Sequence, residues 1–170
     1  MKSTFKYALI ISSLSIIWKL VIFNLGVQHE PFGRNAVFAP LLFILIGVFF
    51  GIREARFQRS DSITLKSNIN DGVKISAINA VIMSVFIYIY YSWIDPGFFT
   101  HKINEALTLM KSNGNTPEEI KEYILTAKII FSPGKLSSFT LFGYLILGII
   151  YSGICGLLLH KIPALGITRK

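Results

Sequence analysis

The sequence predicts an all-α, polytopic membrane protein with four transmembrane helices and an extracytoplasmic amphipathic helical hairpin between the third and the fourth. Hydrophobic residues make up 52% of the 170 residues and charged residues only 15%, whereas about 25% of a soluble domain is charged. The charges are also segregated, which leaves four long segments nearly uncharged. Such segments are typical of spans through a bilayer, and the whole chain, 1–170, is predicted to be one membrane domain.

The first two spans are predicted at about 7–27 and 36–52. About 20 apolar residues, rising about 1.5 Å each, cross the hydrocarbon layer, so the second span is near the lower limit of length. A cleaved signal peptide is the alternative interpretation of the first segment. However, Lys19 interrupts its apolar stretch, and the best small-residue cleavage pattern ends at Ala39, directly before Pro40. A retained helix is therefore favoured.

The third and fourth spans are predicted at about 73–94 and 139–159, and the segment between them, about 96–131, is predicted as a helical hairpin. Asp95 directly precedes Pro96. Aspartate is a preferred N-cap residue and proline a preferred first helical residue, so Asp95 is predicted to cap the first hairpin helix.

The second hairpin helix has a start signal at Thr116-Pro117-Glu118-Glu119. Thr116 is predicted as the N-cap, Pro117 as the first helical residue, and Glu119 as the acid that completes a capping box. Apolar residues recur on one face of each hairpin helix. This pattern predicts that the hairpin lies on or near the membrane surface.

Small residues spaced four apart predict faces for close packing between helices. Gly47 and Gly51 form such a pair in the second span, and Gly148, Ser152 and Gly156 form a longer series in the fourth. These contacts are expected within the bundle or between copies of the chain.

The distribution of Lys and Arg predicts that both termini and the loop between the second and third spans are cytoplasmic. Short-loop Lys and Arg set orientation, and acids contribute little. With the amino terminus inside, the inner segments carry Lys2, Lys6, Arg53, Arg56, Arg59, Lys66, Lys74, Lys161, Arg169 and Lys170.

The central loop residues Arg53, Arg56, Arg59 and Lys66 have two interpretations. In the first, they serve only as the signal that sets the orientation of the chain in the membrane, and they are sufficient for that. As a patch for anionic lipid headgroups or a cytoplasmic partner they would use the same charges, each worth about 1 kcal/mol near an anionic leaflet. Because the basic residues lie beside apolar segments and not on a polar domain, the net charge of +8 does not indicate nucleic-acid binding.

Lys19 is the one basic residue predicted well inside a span. A charge at the bilayer centre costs roughly 2.5–3.5 kcal/mol on insertion scales, which makes such a residue a functional candidate. Ser15 lies on the same face, and Asn79 gives the third span a matching polar position, so the three form a candidate intramembrane polar site. The alternative is a structural lysine that snorkels or is hydrogen-bonded inside the bundle.

The sequence contains no catalytic or cofactor motif. His29, His101 and His160 lie on different segments without metal-ligand spacing. The single cysteine, Cys155, excludes an intrachain disulfide and is predicted to be a packing residue. The chain is therefore predicted not to be an enzyme and to bind no cofactor or metal.

Several places along the chain carry a family resemblance. They are the lysine-rich start, Gly51-Ile52-Arg53-Glu54 with Arg56, Ile63–Gly72, Asp95-Pro96, and Ser132-Pro133 before a last span that ends in Lys161. In order and spacing these resemble the domain of unknown function 4199 family of bacterial membrane proteins, found mainly in Bacteroidota. The resemblance covers nearly the whole chain and implies a four-span protein of the bacterial inner membrane. It implies no activity and no functional residue.

Two functions remain open from the sequence. The first is a non-enzymatic accessory or assembly subunit whose partners are the lipid bilayer and either copies of itself or another membrane protein. The second is a small transporter or channel with a polar seam around Lys19 and Asn79. Proton-coupled transporters usually carry intramembrane acids, and no carboxylate lies well inside a predicted span, which favours the first.

Overall fold

The computed structural model describes residues 2–59 and 63–162, and in these ranges the chain is helical without a β-strand. The helices are α1 (Lys2–Asn24), α2 (Pro31–Asn35), α3 (Ala39–Phe57), α4 (Leu65–Ile89), α5 (Phe98–Ser112), α6 (Pro117–Ile130) and α7 (Pro133–Lys161). A 3₁₀ turn, Ala36–Phe38, joins α2 to α3, and a π-helical turn, Tyr90–Ile94, extends α4.

Four helical segments are long and apolar enough to cross a membrane: Ser3–Asn24, Pro31–Phe57, Leu65–Ile94 and Pro133–Lys161. The predicted all-helical fold with four such helices is confirmed. The segments are longer than the predicted apolar stretches because polar and basic turns continue the helices. The clearest case is α4, which begins at Leu65 rather than near residue 73 and so includes two additional polar turns.

The chain divides into two compact units, and α4 and α7 contribute residues to both. In its described residues, the first unit comprises 2–59, 63–83 and 141–162. Its buried apolar core draws on α1, α3, α4 and α7 through Ala8, Ile11, Ile44, Val48, Ile52, Ile75, Cys155 and Leu159. Many large apolar side chains on the same helices point outward, which is typical of helices that face lipid.

The second unit comprises residues 84–140 and is built on aromatic contacts. The Tyr91 ring contacts the rings of Phe98 and Phe99, with centroid distances of 5.0 and 4.8 Å. The Phe99 ring stacks on Phe131 at 6.5 Å, which joins the start of α5 to the end of α6. The placement of these two helices as a hairpin outside the cytoplasm stays a prediction.

The π-helical turn corrects the predicted role of Asp95. The Asp95 backbone N–H donates to the Tyr90 carbonyl at 2.8 Å, and this wider bond prolongs the third span to Ile94. The N-cap of α5 is Gly97, without a side-chain capping bond. The N-cap prediction for Asp95 is therefore wrong, because its carboxylate turns inward and accepts from the Tyr90 hydroxyl at 3.3 Å.

The capping box at the start of α6 is confirmed. Thr116 Oγ1 accepts from the Glu119 backbone N–H at 3.3 Å, and Glu119 Oε2 accepts from the Thr116 backbone N–H at 2.8 Å. The Asn115 side-chain amide donates to the same carboxylate oxygen at 3.1 Å. The Thr116 N–H, and next the Asn115 amide, hold the pKa of the Glu119 carboxyl below its ordinary value.

The capping box should make the stability of α6 depend on pH in a defined direction. Because the folded-state pKa of Glu119 is depressed, its stabilising effect on α6 is full above the ordinary glutamate pKa of about 4.3. The effect is lost as the pH falls through the lower folded value. We expect protection of the first turn of α6, measured by amide hydrogen exchange corrected for intrinsic rates, to fall over this acidic window in the wild type and to be pH-independent there in Glu119→Ala.

Glu118→Ala is the matched control, since it removes a neighbouring acid from the same turn without touching the capping box. Its pH profile should follow the wild type. An unchanged profile in Glu119→Ala would remove the capping box as the cause.

Candidate functional site

A face of small and polar residues on α4 packs against the small-residue face of α7. A Cβ atom added at Gly72 would lie 2.6 Å from Ser152 Oγ and 2.7 Å from its Cβ, and one added at Gly148 would overlap Ser76. The backbones are therefore in close contact at both levels.

One level further along the same interface, the Asn68 side-chain amide donates to the Gly156 carbonyl at 3.4 Å. The positions 68, 72 and 76 of α4 thus meet 156, 152 and 148 of α7, in antiparallel order. The four-residue spacing on α7 places all three of its small residues at this interface. The matching series on α4 is visible in the sequence by the same rule, but hydropathy assigned its first part to a loop.

The pair on the second helix, Gly47 and Gly51, also lies at helix contacts. A Cβ atom at Gly47 would overlap Ile11 of α1, and one at Gly51 would overlap Ile75 of α4 and come within 3.2 Å of the Tyr7 side chain. The α3 helix is therefore held tightly against both neighbours.

In the region of the candidate polar site, a side-chain hydrogen bond joins α1 to α4. Ser12 Oγ lies 2.8 Å from Asn79 Oδ1 and 2.9 Å from the Ala8 carbonyl, so one hydroxyl proton serves two acceptors across α1 and α4. Ser15 is fully buried and donates to the Ile11 carbonyl of its own helix at 2.9 Å. Lys19 is half-buried on α1. The hydroxyl that the structure brings to Asn79 is thus that of Ser12, one turn from the predicted Ser15.

Three buried polar atoms on this face of α4 have no hydrogen-bond partner among the described residues: Asn68 Oδ1, Ser76 Oγ and Asn79 Nδ2. Each belongs to a side chain that is at most 2% exposed. An unsatisfied buried polar group costs about 1–3 kcal/mol. Burying these atoms therefore costs free energy unless a polar molecule binds them.

At one end of the bundle, two ion pairs and one hydrogen bond from an arginine connect α3 to α1, α4 and α7. Lys6 Nζ of α1 binds Glu54 Oε2 at 2.8 Å. Arg59, just after α3, binds Asp71 of α4 through Nη2 and Oδ2 at 2.7 Å. Arg56 donates from Nη1 to the Leu159 carbonyl in the last turn of α7.

The four residues of the predicted lipid or partner patch therefore have different surroundings. Arg56 and Arg59 are bound within the chain. The Arg53 guanidinium lies 5.9 Å from the centre of the Phe57 ring, and its buried Nε has no hydrogen-bond partner in the part of the chain that the structure describes. Only Lys66 is exposed. The sequence could not separate these roles, because it showed four equivalent positive charges.

Within the described ranges, no group of three or more His, Cys, Asp or Glu residues is placed to hold a metal ion. Cys155 is buried, with Sγ 4.0 Å from the Leu45 carbonyl, so its side chain fills the contact between α7 and α3. Several polar side chains of the first unit thus lie at contacts between helices. The absence of a cofactor and of catalysis stays a prediction.

The family comparison covers the same elements. The family described as protein of unknown function, DUF4199, matches residues 6–161, from the lysine that pairs with Glu54 to the end of α7. Neither a curated protein nor a solved structure matches the chain. Because the match covers nearly the whole chain, the chain belongs to the DUF4199 family.

Proposed function

We propose that this chain is a non-enzymatic integral membrane protein that serves as an accessory or assembly subunit of a membrane complex. The observation that supports this most is the use of its polar and small residues. Within the first unit, contacts between helices are made by Ser12, Asn79, Gly72, Ser152 and Gly148. Side chains engaged in this way hold a scaffold together and leave few groups for chemistry.

The proposal places the chain in a bacterial inner membrane with both termini in the cytoplasm. The support is the bias of short-loop Lys and Arg towards the termini and the central loop. The partner would be another membrane protein or a second copy of the chain, in contact with the apolar side chains that the first unit turns outward.

A small transporter or channel with a polar seam around Lys19 and Asn79 is the second candidate. One observation favours it, namely the three unpartnered polar atoms on the buried face of α4. Such atoms are costly unless a water molecule, an ion or a solute visits them.

A paired experiment separates the two functions. The chain is extracted from its native membrane in polymer-bounded discs without detergent, and the purified chain is reconstituted in liposomes for solute-flux measurements. For an accessory subunit we expect one partner at a fixed ratio, lower abundance of that partner when the chain is deleted, and flux equal to that of protein-free liposomes.

Lys19→Leu provides the control for flux. A flux above the protein-free level that Lys19→Leu abolishes, with folding intact, would establish conduction and refute the accessory role. A chain that is recovered alone from the native membrane would refute it as well.

A further inference from the structure

A groove of about 610 Å³ opens along the first turns of α4, at the end of the bundle that carries the charged bonds. It is lined by Leu65, Lys66, Ile69, Asn70 and Val73. Residues four apart lie above one another on a helix, so the lining has two strips. One is apolar, with Leu65, Ile69 and Val73, and the other is polar, with Lys66 and Asn70.

The polar strip carries a cation that the protein leaves available. Lys66 is exposed, and among the described residues it has no ion pair or side-chain hydrogen bond. Two of its neighbours in the predicted basic patch, Arg56 and Arg59, are bound to other helices. The Lys66 ammonium is thus exposed and lines this groove.

The position of the groove determines what kind of molecule meets it. The membrane-length segment Leu65–Ile94 begins at the first residue of the groove. The ends of such segments lie where lipid headgroups meet acyl chains. An apolar strip directed into the span, with an ammonium at its outer end, complements an acyl chain joined to an anionic headgroup.

We propose that this groove binds an anionic phospholipid, with an acyl chain along Leu65, Ile69 and Val73 and the headgroup phosphate at Lys66. The inference rests on the membrane embedding in the proposed function and not on the accessory role. With the amino terminus inside, the groove lies in the cytoplasmic leaflet.

The test uses the full chain purified in detergent and titrated with phosphatidylglycerol or phosphatidylcholine, with bound lipid counted by native mass spectrometry. We expect the wild type to bind phosphatidylglycerol more tightly. Lys66→Gln should weaken phosphatidylglycerol binding about fivefold, the effect of one lysine near an anionic surface, and leave phosphatidylcholine binding unchanged.

Two further variants make the result specific to the groove. Lys74→Gln removes the same charge from an exposed position on α4 that does not line the groove, and it should leave both affinities unchanged. Asn70→Trp fills the groove from an exposed position and should weaken the binding of both lipids. Equal affinity of the wild type for the two lipids, an equal effect of Lys74→Gln and Lys66→Gln, or no effect of Asn70→Trp would each overturn the proposal.

Discussion

Gly148→Leu is expected to lower the free energy of unfolding by about 3 kcal/mol, the upper end of the usual cost of overpacking. At this position an added Cβ atom overlaps the Ser76 Cβ of α4. A Cβ atom is fixed to the backbone and cannot rotate aside as the end of a flexible side chain can. The two helices must therefore separate, and the contacts at Gly72 and Gly156, one and two levels further along the same interface, weaken with them.

The same helix offers a matched control. No atom lies within 4 Å of a Cβ added at Gly153, so Gly153→Leu adds the same side chain without a clash inside the chain. We expect its free energy of unfolding to differ from that of the wild type by no more than about 1 kcal/mol, the propensity difference between glycine and a good helix former.

Unfolding in mixed micelles of increasing dodecyl sulfate content, followed by circular dichroism, measures both variants. The informative quantity is the difference between them, because both change a glycine to leucine in the middle of α7. Similar losses for the two positions would mean that the small-residue face of α7 does not hold the bundle together.

The α7 face also indicates how far a single sequence predicts this structure. Four-residue spacing predicted a packing face in the fourth span, and the structure places all three small residues at one interface. The opposing residues Asn68 and Gly72 have the same spacing, but hydropathy placed them before the third span. The α4 helix is longer than predicted because its polar first turns are buried against α7. A hydropathy pattern does not report such burial.

The polar contacts of the bundle were harder to predict from the sequence, for a geometric reason. Whether Asn79 meets Ser12 or Ser15 depends on how α1 is rotated and shifted against α4, and both serines lie on the same face of α1. Likewise, the bond from Arg56 to the Leu159 carbonyl involves a backbone acceptor, which no residue type signals. The capping box of α6 could be predicted because its partners are local in sequence.

Asp71→Leu is expected to cost about 3 kcal/mol in free energy of unfolding, because it leaves the Arg59 guanidinium without its partner in a largely buried setting. The Asp71 side chain is 7% exposed and that of Arg59 24%, so solvent screens this pair only weakly. The bond also links the end of α3 to α4 across residues 60–62. Its loss should therefore be seen in the same dodecyl sulfate unfolding measurement as a less stable bundle.

The double variant Arg59→Met/Asp71→Leu distinguishes the cost of an unpaired charge from the loss of packing. Replacing a buried ion pair by apolar side chains of similar size is often neutral, so the double variant should recover most of the loss. Lys6→Gln is the control at the same end of the bundle: its ion pair with Glu54 joins α1 to α3, but the Lys6 side chain is 54% exposed. A solvated ion pair contributes little to the free energy of unfolding, so this variant should be as stable as the wild type. If the double variant is as unstable as Asp71→Leu, an unpaired Arg59 charge is not the cause of the lost stability.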